Sequence, residues 1–236
     1  ISSSSRTSTA EALRIVRTNL EFLLNEVPEG IAKTIFLTST FPKEGKTFIS
    51  VNLASTIALS DKKVLLLGLD IRNPKLEEYL DVPKVGVTNL ASKDHKNSAD
   101  FLTKVEGFSN FYVMPAGVIP PNPAELLMGK KVGELFEKLK QEFDYIIVDT
   151  APVSLVTDTL LISKYADAFI YVTRANYLDK RMLTLPEKLY QEKKLPNMSI
   201  LINDTDSTKG YGYGYGYGYG YGVEVEKKSF WKRFFK

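Results

Sequence analysis

Residues Thr34 to Ser60 read TIFLTSTFPKEGKTFISVNLASTIALS, and the fold turns on this stretch. Ile35-Phe36-Leu37-Thr38 is β-branched and apolar over the length of a buried strand, and Leu53, Ile57 and Ala58 recur at helical spacing. Between them lies a loop, Ser39 to Lys46, that closes on Gly45-Lys46-Thr47. A strand, a loop ending Gly-Lys-Thr and a helix make a phosphate-binding loop credible, because backbone N–H groups at a helix N-terminus face an anion. In that setting Lys46 reaches terminal phosphates and the Thr47 hydroxyl ligates Mg²⁺. The motif is half complete, since Thr40 stands where its first glycine falls. A surface turn ahead of an ordinary helix is the rival reading of these residues, and the rest of the chain decides between them.

Toward the C-terminus, Lys63 to Leu69 (KVLLLGL) is a near-continuous apolar run, as in a parallel strand covered on both faces. Asp70 and Arg72 emerge at its carboxyl end, where open α/β sheets bind ligands, and Pro74 opens a short helix, PKLEEYL. Residues Val85 to Gly107 are polar and irregular. Asn110 to Pro115 gives another strand, and the cluster Pro120-Pro121-Asn122-Pro123 releases a helix from Ala124 to Gln141. In Phe143 to Val153, FDYIIVDTAPV, three apolar residues run straight into Asp149, the arrangement by which a strand-end carboxylate holds Mg²⁺. A strand at Ala168 to Thr173, a helix from about Asp179 to Lys193 and a last strand, MSILIN, ending at Asn203-Asp204 complete the series. Strand and helix alternate from Ile35 to Asn203, which predicts an α/β fold: a mostly parallel sheet with helices on both faces.

Ahead of the loop, a helix from Thr9 places Leu13, Val16, Leu20, Leu23 and Leu24 on one stripe, with Glu11, Arg14 and Arg17 at i+3 spacing on another. Residues 1–8 are serine-rich and read as a linker. Beyond Lys209, residues 210–222 read GYGYGYGYGYGYG and set six tyrosines, Tyr211, Tyr213, Tyr215, Tyr217, Tyr219 and Tyr221, at strict period two. Alternate glycines make an ordered strand costly there, which favours an accessible tail. The end, SFWKRFFK, interleaves aromatic and basic residues in a pattern suited to an anionic membrane surface or an acidic partner.

Composition sets the outer bounds. At 236 residues, 44% hydrophobic and 25% charged, the chain suits one soluble α/β unit. With no cysteine and one histidine, His95 in the polar run SKDHKNS, thiolate and histidine-built metal sites are excluded. A net charge of +3 does not argue for nucleic acid, although Lys227 to Lys236 holds five basic and no acidic residues. No run approaches 18 apolar residues and no charged-then-apolar leader opens the chain, so neither a membrane span nor a signal peptide is expected.

These stretches together resemble the cytoplasmic catalytic domain of bacterial tyrosine kinases, P-loop autokinases attached to membrane proteins that control export of capsular and exopolysaccharides. Glu11 to Asn19 (EALRIVRTN) is similar to the family's oligomerisation helix, Phe41 to Thr47 (FPKEGKT) to its Walker A and Leu69 to Pro74 (LDIRNP) to its second acidic motif. PPNPAELL around Pro121, Ile146 to Pro152 (IIVDTAP) and the tyrosine-rich tail extend the match. The resemblance implies a kinase domain over 9–204 and a phosphoacceptor tail over 205–236. It implies ATP at Lys43, Glu44, Gly45, Lys46, Thr47, Phe48 and Asn203, the last reading adenine, and Mg²⁺ at Thr47, Asp70 and Asp149. Lys46, Asp70 and Asp149 become the catalytic set, and Glu11, Arg14 and Arg17 a seam between subunits of a ring. The implied partners are a membrane-embedded polysaccharide co-polymerase segment or activator and a protein-tyrosine phosphatase, at the cytoplasmic face of the bacterial inner membrane. Two departures matter. Lys43 replaces a glycine usual in the family's loop, and Gly68 replaces the first Asp of its second acidic motif, so the proton acceptor is Asp70, another group, or the phenol's own ionisation. A P-loop ATPase switch of the partition type is the rival function; it releases free phosphate and leaves the tyrosine run unexplained.

Overall fold

The computed structural model describes residues 7–92 and 97–205. His95, the tail tyrosines and the basic C-terminal run lie outside the described residues. Helix α1 (Ser8–Leu23) is capped by Thr7, whose side chain accepts the Ala10 N–H. Then come β1 (Lys33–Ser39), α2 (Lys46–Ala58), β2 (Val64–Leu69), α3 (Val87–Ser92), β3 (Thr103–Lys104), β4 (Phe111–Met114), α4 (Pro123–Met128), α5 (Lys130–Glu142), β5 (Tyr145–Thr150), α6 (Asp158–Ile162), β6 (Ala168–Arg174), α7 (Thr184–Gln191) and β7 (Met198–Asn203).

The strands form one seven-stranded sheet in the order β3-β4-β2-β5-β1-β6-β7. Every pair is parallel except β3 with β4 at one edge. Successive side chains of a strand point to opposite faces, and the two cores divide accordingly. Phe36, Leu65, Leu67, Ile146, Val148, Phe169 and Tyr171 pack with Phe136 and Leu139 of α5, Ile162 of α6 and Leu189 of α7. Ile35, Leu37, Leu66, Ile147, Ile170 and Val172 pack with Leu13 and Leu20 of α1, with Leu24 just past its end, and with Leu53 and Ile57 of α2. Both faces of β1, β2 and β5 are therefore dry, which explains their unbroken apolar sequences. Each fully buried Leu, Ile or Phe contributes about 1.5–3 kcal/mol, so the central strands are the most firmly held part of the molecule.

The structure departs from the sequence expectation in places where local chemistry overrides the pattern. The helix expected over Ala124 to Gln141 is two helices broken at Gly129, whose N–H closes α4 on the Leu126 carbonyl and whose ψ of 148° is extended. That expected from Asp179 begins as a 3₁₀ turn, Lys180–Leu183, with the Asp179 side chain accepting the Arg181 N–H. The segment after Pro74 makes only a 3₁₀ turn, Leu76–Glu78. The stretch Val85 to Gly107, expected to be irregular, holds α3 and β3; Val87 and Leu90 are its buried anchors, and the Asn89 side chain accepts the Gly86 N–H at the start of the helix. Of the stripe expected on α1, Leu13 and Leu20 are buried, as is Leu24 at its C-cap, Val16 is half-buried, and Leu23 is exposed.

Candidate active site

The loop Ser39 to Lys46 leaves the carboxyl end of β1 and delivers the chain into α2. Gly45 caps α2 in the left-handed region, φ 96°, which a glycine reaches at no steric cost. A Cβ at this position would lie 2.1 Å from the Asn203 side-chain nitrogen, so a substitution would also push the Asn203 amide off the loop. The first-turn N–H groups of α2 have no acceptor within the helix and carry the positive end of its dipole.

Register on the sheet explains how the charged groups meet. Asp149 on central β5 pairs with Leu37 of β1 and Gly68 of β2. Its carboxylate, 2% exposed, accepts the Thr47 hydroxyl at 2.8 Å on Oδ2, and the Ser50 hydroxyl lies 3.2 Å from Oδ1. Asp70, just past β2, donates its N–H to the Asp149 carbonyl, accepts the Asn73 N–H on Oδ1 at 3.1 Å, and sets Oδ2 4.0 Å from the Lys46 ammonium. Loss of water pushes both carboxyl groups above their ordinary range. Lys46 pulls each back, as do the hydrogen bonds each accepts, while the Asp149 charge adds to the rise at Asp70.

Beneath the loop, Glu44 directs its carboxylate into the protein, where Oε2 accepts the Phe41 N–H at 2.7 Å and Oε1 has no close hydrogen-bond partner. Burial pushes this carboxyl up, against nearby backbone N–H groups of Phe41, Arg174 and Thr40. Tyr171 shares a 2.9 Å hydrogen bond with Thr40 and is pushed up to about 12 by burial, with the Glu44 charge adding to the shift.

The loop opens on a cleft of about 450 Å³. Lys43, Glu44, Gly45, Lys46, Thr47 and Asp70 line one wall; Arg72, Lys75, Tyr79, Pro152, Leu155 and Val156 line the other. Arg72 is tied by two hydrogen bonds of 2.7 and 2.9 Å to Asp158, a buried carboxylate at the start of α6. Lys46, Thr47, Asp70 and Asp149 thus converge, with Lys43 at the rim. Glu44 presents only its backbone side to the cleft, Phe48 is not among the lining residues, and Asn203 sits outside, its Nδ2 donating to the Glu44 carbonyl at 3.0 Å. Arg14 pairs with Glu11 on the same helix turn, and Arg17 donates to the Thr56 carbonyl of α2 at 3.2 Å. Ser50, Asp158, Tyr171 and the exposed Ile15 and Phe22 on α1 escaped the sequence reading. At Gly68 an added Cβ would come within 2.9 Å of the Ala116 nitrogen and 3.0 Å of Leu76 Cδ1, so the departure from the acidic motif coincides with a tight backbone approach.

The donor set fits Mg²⁺. Two buried carboxylates face one ammonium, leaving negative charge uncompensated, and the oxygens of Asp149, Asp70 and Thr47 are hard ligands. Among the described residues no three His, Cys, Asp or Glu side chains cluster as a metal cage. That suits an ion held by one or two carboxylates together with phosphate and water.

The strand–loop–helix geometry and the carboxylate at the end of β5 define a P-loop nucleotide-binding protein. The AAA domain family model matches residues 33–184. The chain is 33% identical over 165 residues to the tyrosine-protein kinase wzc of Salmonella typhimurium, covering 70% of this chain and 22% of that relative's length. It is 34% identical over 177 residues to the tyrosine-protein kinase CpsD of Streptococcus pneumoniae, covering 74% of this chain and 77% of the relative. The solved kinase domain of the Escherichia coli tyrosine kinase ETK superposes with a TM-score of 0.75 at 29% identity, over 87% of this chain and 81% of that one. The chain belongs to the bacterial tyrosine-protein kinase family. Among the described residues no helix is long and apolar enough to cross a membrane.

Proposed function

We propose that this chain is a protein-tyrosine autokinase that transfers the γ-phosphate of ATP to tyrosines of its own tail, between subunits. The observation that carries the reading is the pairing of Lys46 and Asp70, 4.0 Å apart, on one wall of a cleft whose other wall holds Tyr79, Pro152 and Leu155. The loop N–H groups and Lys46 bind the phosphates, and Lys46 neutralises charge on the transferring phosphoryl group. Thr47, Asp70 and Asp149 would hold Mg²⁺, which when bound supplies further neutralisation of phosphate charge. Tyr79, Pro152 and Leu155 offer apolar contact to an aromatic ring. Asp70, at the junction of the walls, orients the phenol and takes its proton as the phenol oxygen bonds to phosphorus and the bond to the ADP oxygen breaks. Burial raises the Asp70 carboxyl, which makes it a better proton acceptor than an exposed one. Gly68 leaves Asp70 as the remaining carboxylate of its motif.

From Thr205 to Tyr221 the chain has 17 residues and reaches at most about 55–60 Å, enough to enter a neighbour's cleft. Exposed Ile15 and Phe22 flank the Glu11, Arg14 and Arg17 positions and support α1 as the subunit seam. A ring held at that seam, a membrane-embedded activator, a phosphatase that resets the tail and a role in polysaccharide export all rest on the family resemblance.

The test is transfer of ³²P from ATP to the purified chain. Label on tyrosine that disappears in Lys46→Met is expected, as is labelling of a Lys46→Met chain by an active chain lacking its tail. Free phosphate without phosphotyrosine would instead identify an ATPase switch.

A further inference from the structure

We infer that Arg174, Tyr177 and Asn203 form a clamp on three consecutive carbonyls of the phosphate loop, and that Arg174 and Tyr177 are positioning residues for nucleotide phosphate. The inference rests on the nucleotide-site reading above. The Tyr177 hydroxyl donates to the Pro42 carbonyl at 3.2 Å, the Arg174 guanidinium to the Lys43 carbonyl at 3.3 Å, and the Asn203 amide to the Glu44 carbonyl at 3.0 Å. None of these three lines the cleft.

In a planar trans peptide the carbonyl and the following N–H point in opposite directions. Fastening the carbonyls of Pro42, Lys43 and Glu44 to the outside therefore aims the N–H groups of Lys43, Glu44 and Gly45 the other way. Successive N–H groups aligned by left-handed residues make an anion-binding concavity. Two residues of this loop are left-handed, Lys43 at φ 68° and Gly45 at φ 96°. A lysine seldom adopts that conformation unaided, so it has to be imposed from outside. Lys43 nevertheless lines the cleft together with Lys46.

The clamp is itself braced. Arg174 ends β6 and pairs with Asp204 at 3.0 Å, and its guanidinium lies 5.6 Å from the centre of the Tyr177 ring. The Tyr177 N–H returns to the Arg174 carbonyl, and the Ala175 N–H bonds the Asn203 carbonyl. Three side chains from the ends of β6 and β7 thus act on one turn, with Asp204 bracing the first of them.

The experiment measures Kd for MgADP and, by competition, for adenosine, with the full chain and its Arg174→Ala, Arg174→Lys and Tyr177→Phe variants. Because the clamp orients N–H groups toward phosphate, Arg174→Ala should weaken MgADP roughly five- to tenfold, the scale of one charge-assisted hydrogen bond, and leave adenosine within about twofold. Arg174→Lys should recover part of the loss. Tyr177→Phe changes no charge and should still cost MgADP roughly two- to threefold with adenosine unmoved. Equal losses for both ligands, or MgADP bound by the variants as by the parent, would overturn the clamp while leaving the nucleotide site standing. If Arg174→Ala does not fold, Tyr177→Phe decides alone. A parent chain that binds no MgADP would sink the site reading and the clamp together.

Discussion

The two walls of the cleft are built from different materials. The inner wall stands on the end of the central sheet, where buried Asp149 of β5 accepts hydrogen bonds from buried Thr47 and Ser50 of α2, and β5 is packed on both faces. The outer wall is loop and short helix, with Leu155, Tyr79 and Arg72 open to water, held by the Arg72–Asp158 pair and by hydrogen bonds from Val153 and Ser154 to the Ser39 and Thr40 carbonyls. Phosphate and metal have one shape whatever is phosphorylated, so a rigid surface serves them. Under the proposed function the acceptor is a tail with six tyrosines at period two, and an exposed apolar lip suits a ring presented in several registers.

The contrast breaks first if the inner wall proves forgiving. Asp149→Asn should lower autophosphorylation at least about a hundredfold, since loss of a metal-holding charge costs several kcal/mol of transition-state stabilisation. The same change should raise the melting temperature of the nucleotide-free chain at neutral pH, because it removes a buried charge that desolvation disfavours. The sign follows from the direction of the shift. A carboxyl raised in the folded state contributes its stability below the unfolded value of 3.8 and loses it as pH rises through the folded value. The stability of the variant relative to the parent should therefore grow from pH 4 to pH 8. Thermal melts that show the variant losing ground over that range would refute the assignment.

Asp70→Asn should cost about ten- to a hundredfold in kcat, the scale of general-base assistance, with MgADP affinity reduced less. A loss under about twofold would move proton acceptance to another group. On the outer wall, Arg72→Ala strips the partner from buried Asp158, and its main effect should be on stability. A fall in melting temperature of several degrees, partly restored by Asp158→Ala in the same chain, is expected from a double-mutant cycle. Leu155→Ala should be the mildest, raising KM for a separate Tyr-Gly peptide about two- to threefold and leaving KM for ATP alone. If it moves the ATP value instead, the outer wall belongs to the nucleotide and the division is wrong.

What the sequence could disclose follows the range of the interactions. The loop, α2 and Asp149 were legible because their signals are local: a strand of known length, a Gly-Lys-Thr turn, and an acid at the end of an apolar run. Ser50 was invisible although it sits one helical turn beyond Lys46, since its partner Asp149 lies 99 residues away and only the β1–β5 register brings them together. Thr40 and Tyr171, separated by 131 residues, and Arg72 and Asp158, separated by 86, are pairs of ordinary residues with no pattern of their own. Asn203 was singled out from the resemblance for the adenine; its hydrogen bond to the Glu44 carbonyl, 159 residues away in sequence, had no local signal. The break at Gly129 and the helix at Val87–Ser92 were missed for the opposite reason: there a single residue or a pair of anchors outweighs the average over a window.

Gly68 fixes more than the shape of β2. Any side chain there presses on the backbone of Pro115–Ala116 and on Leu76, so an aspartate at this position requires the neighbouring backbone to give way. The segment after β4 must first step back, and on its own that step only opens a void against the sheet. The end of β2 thus offers two alternatives that exclude each other, a second acid or a closed seam against β4, and this chain has the seam, which leaves Asp70 as the carboxylate that β2 delivers to the cleft.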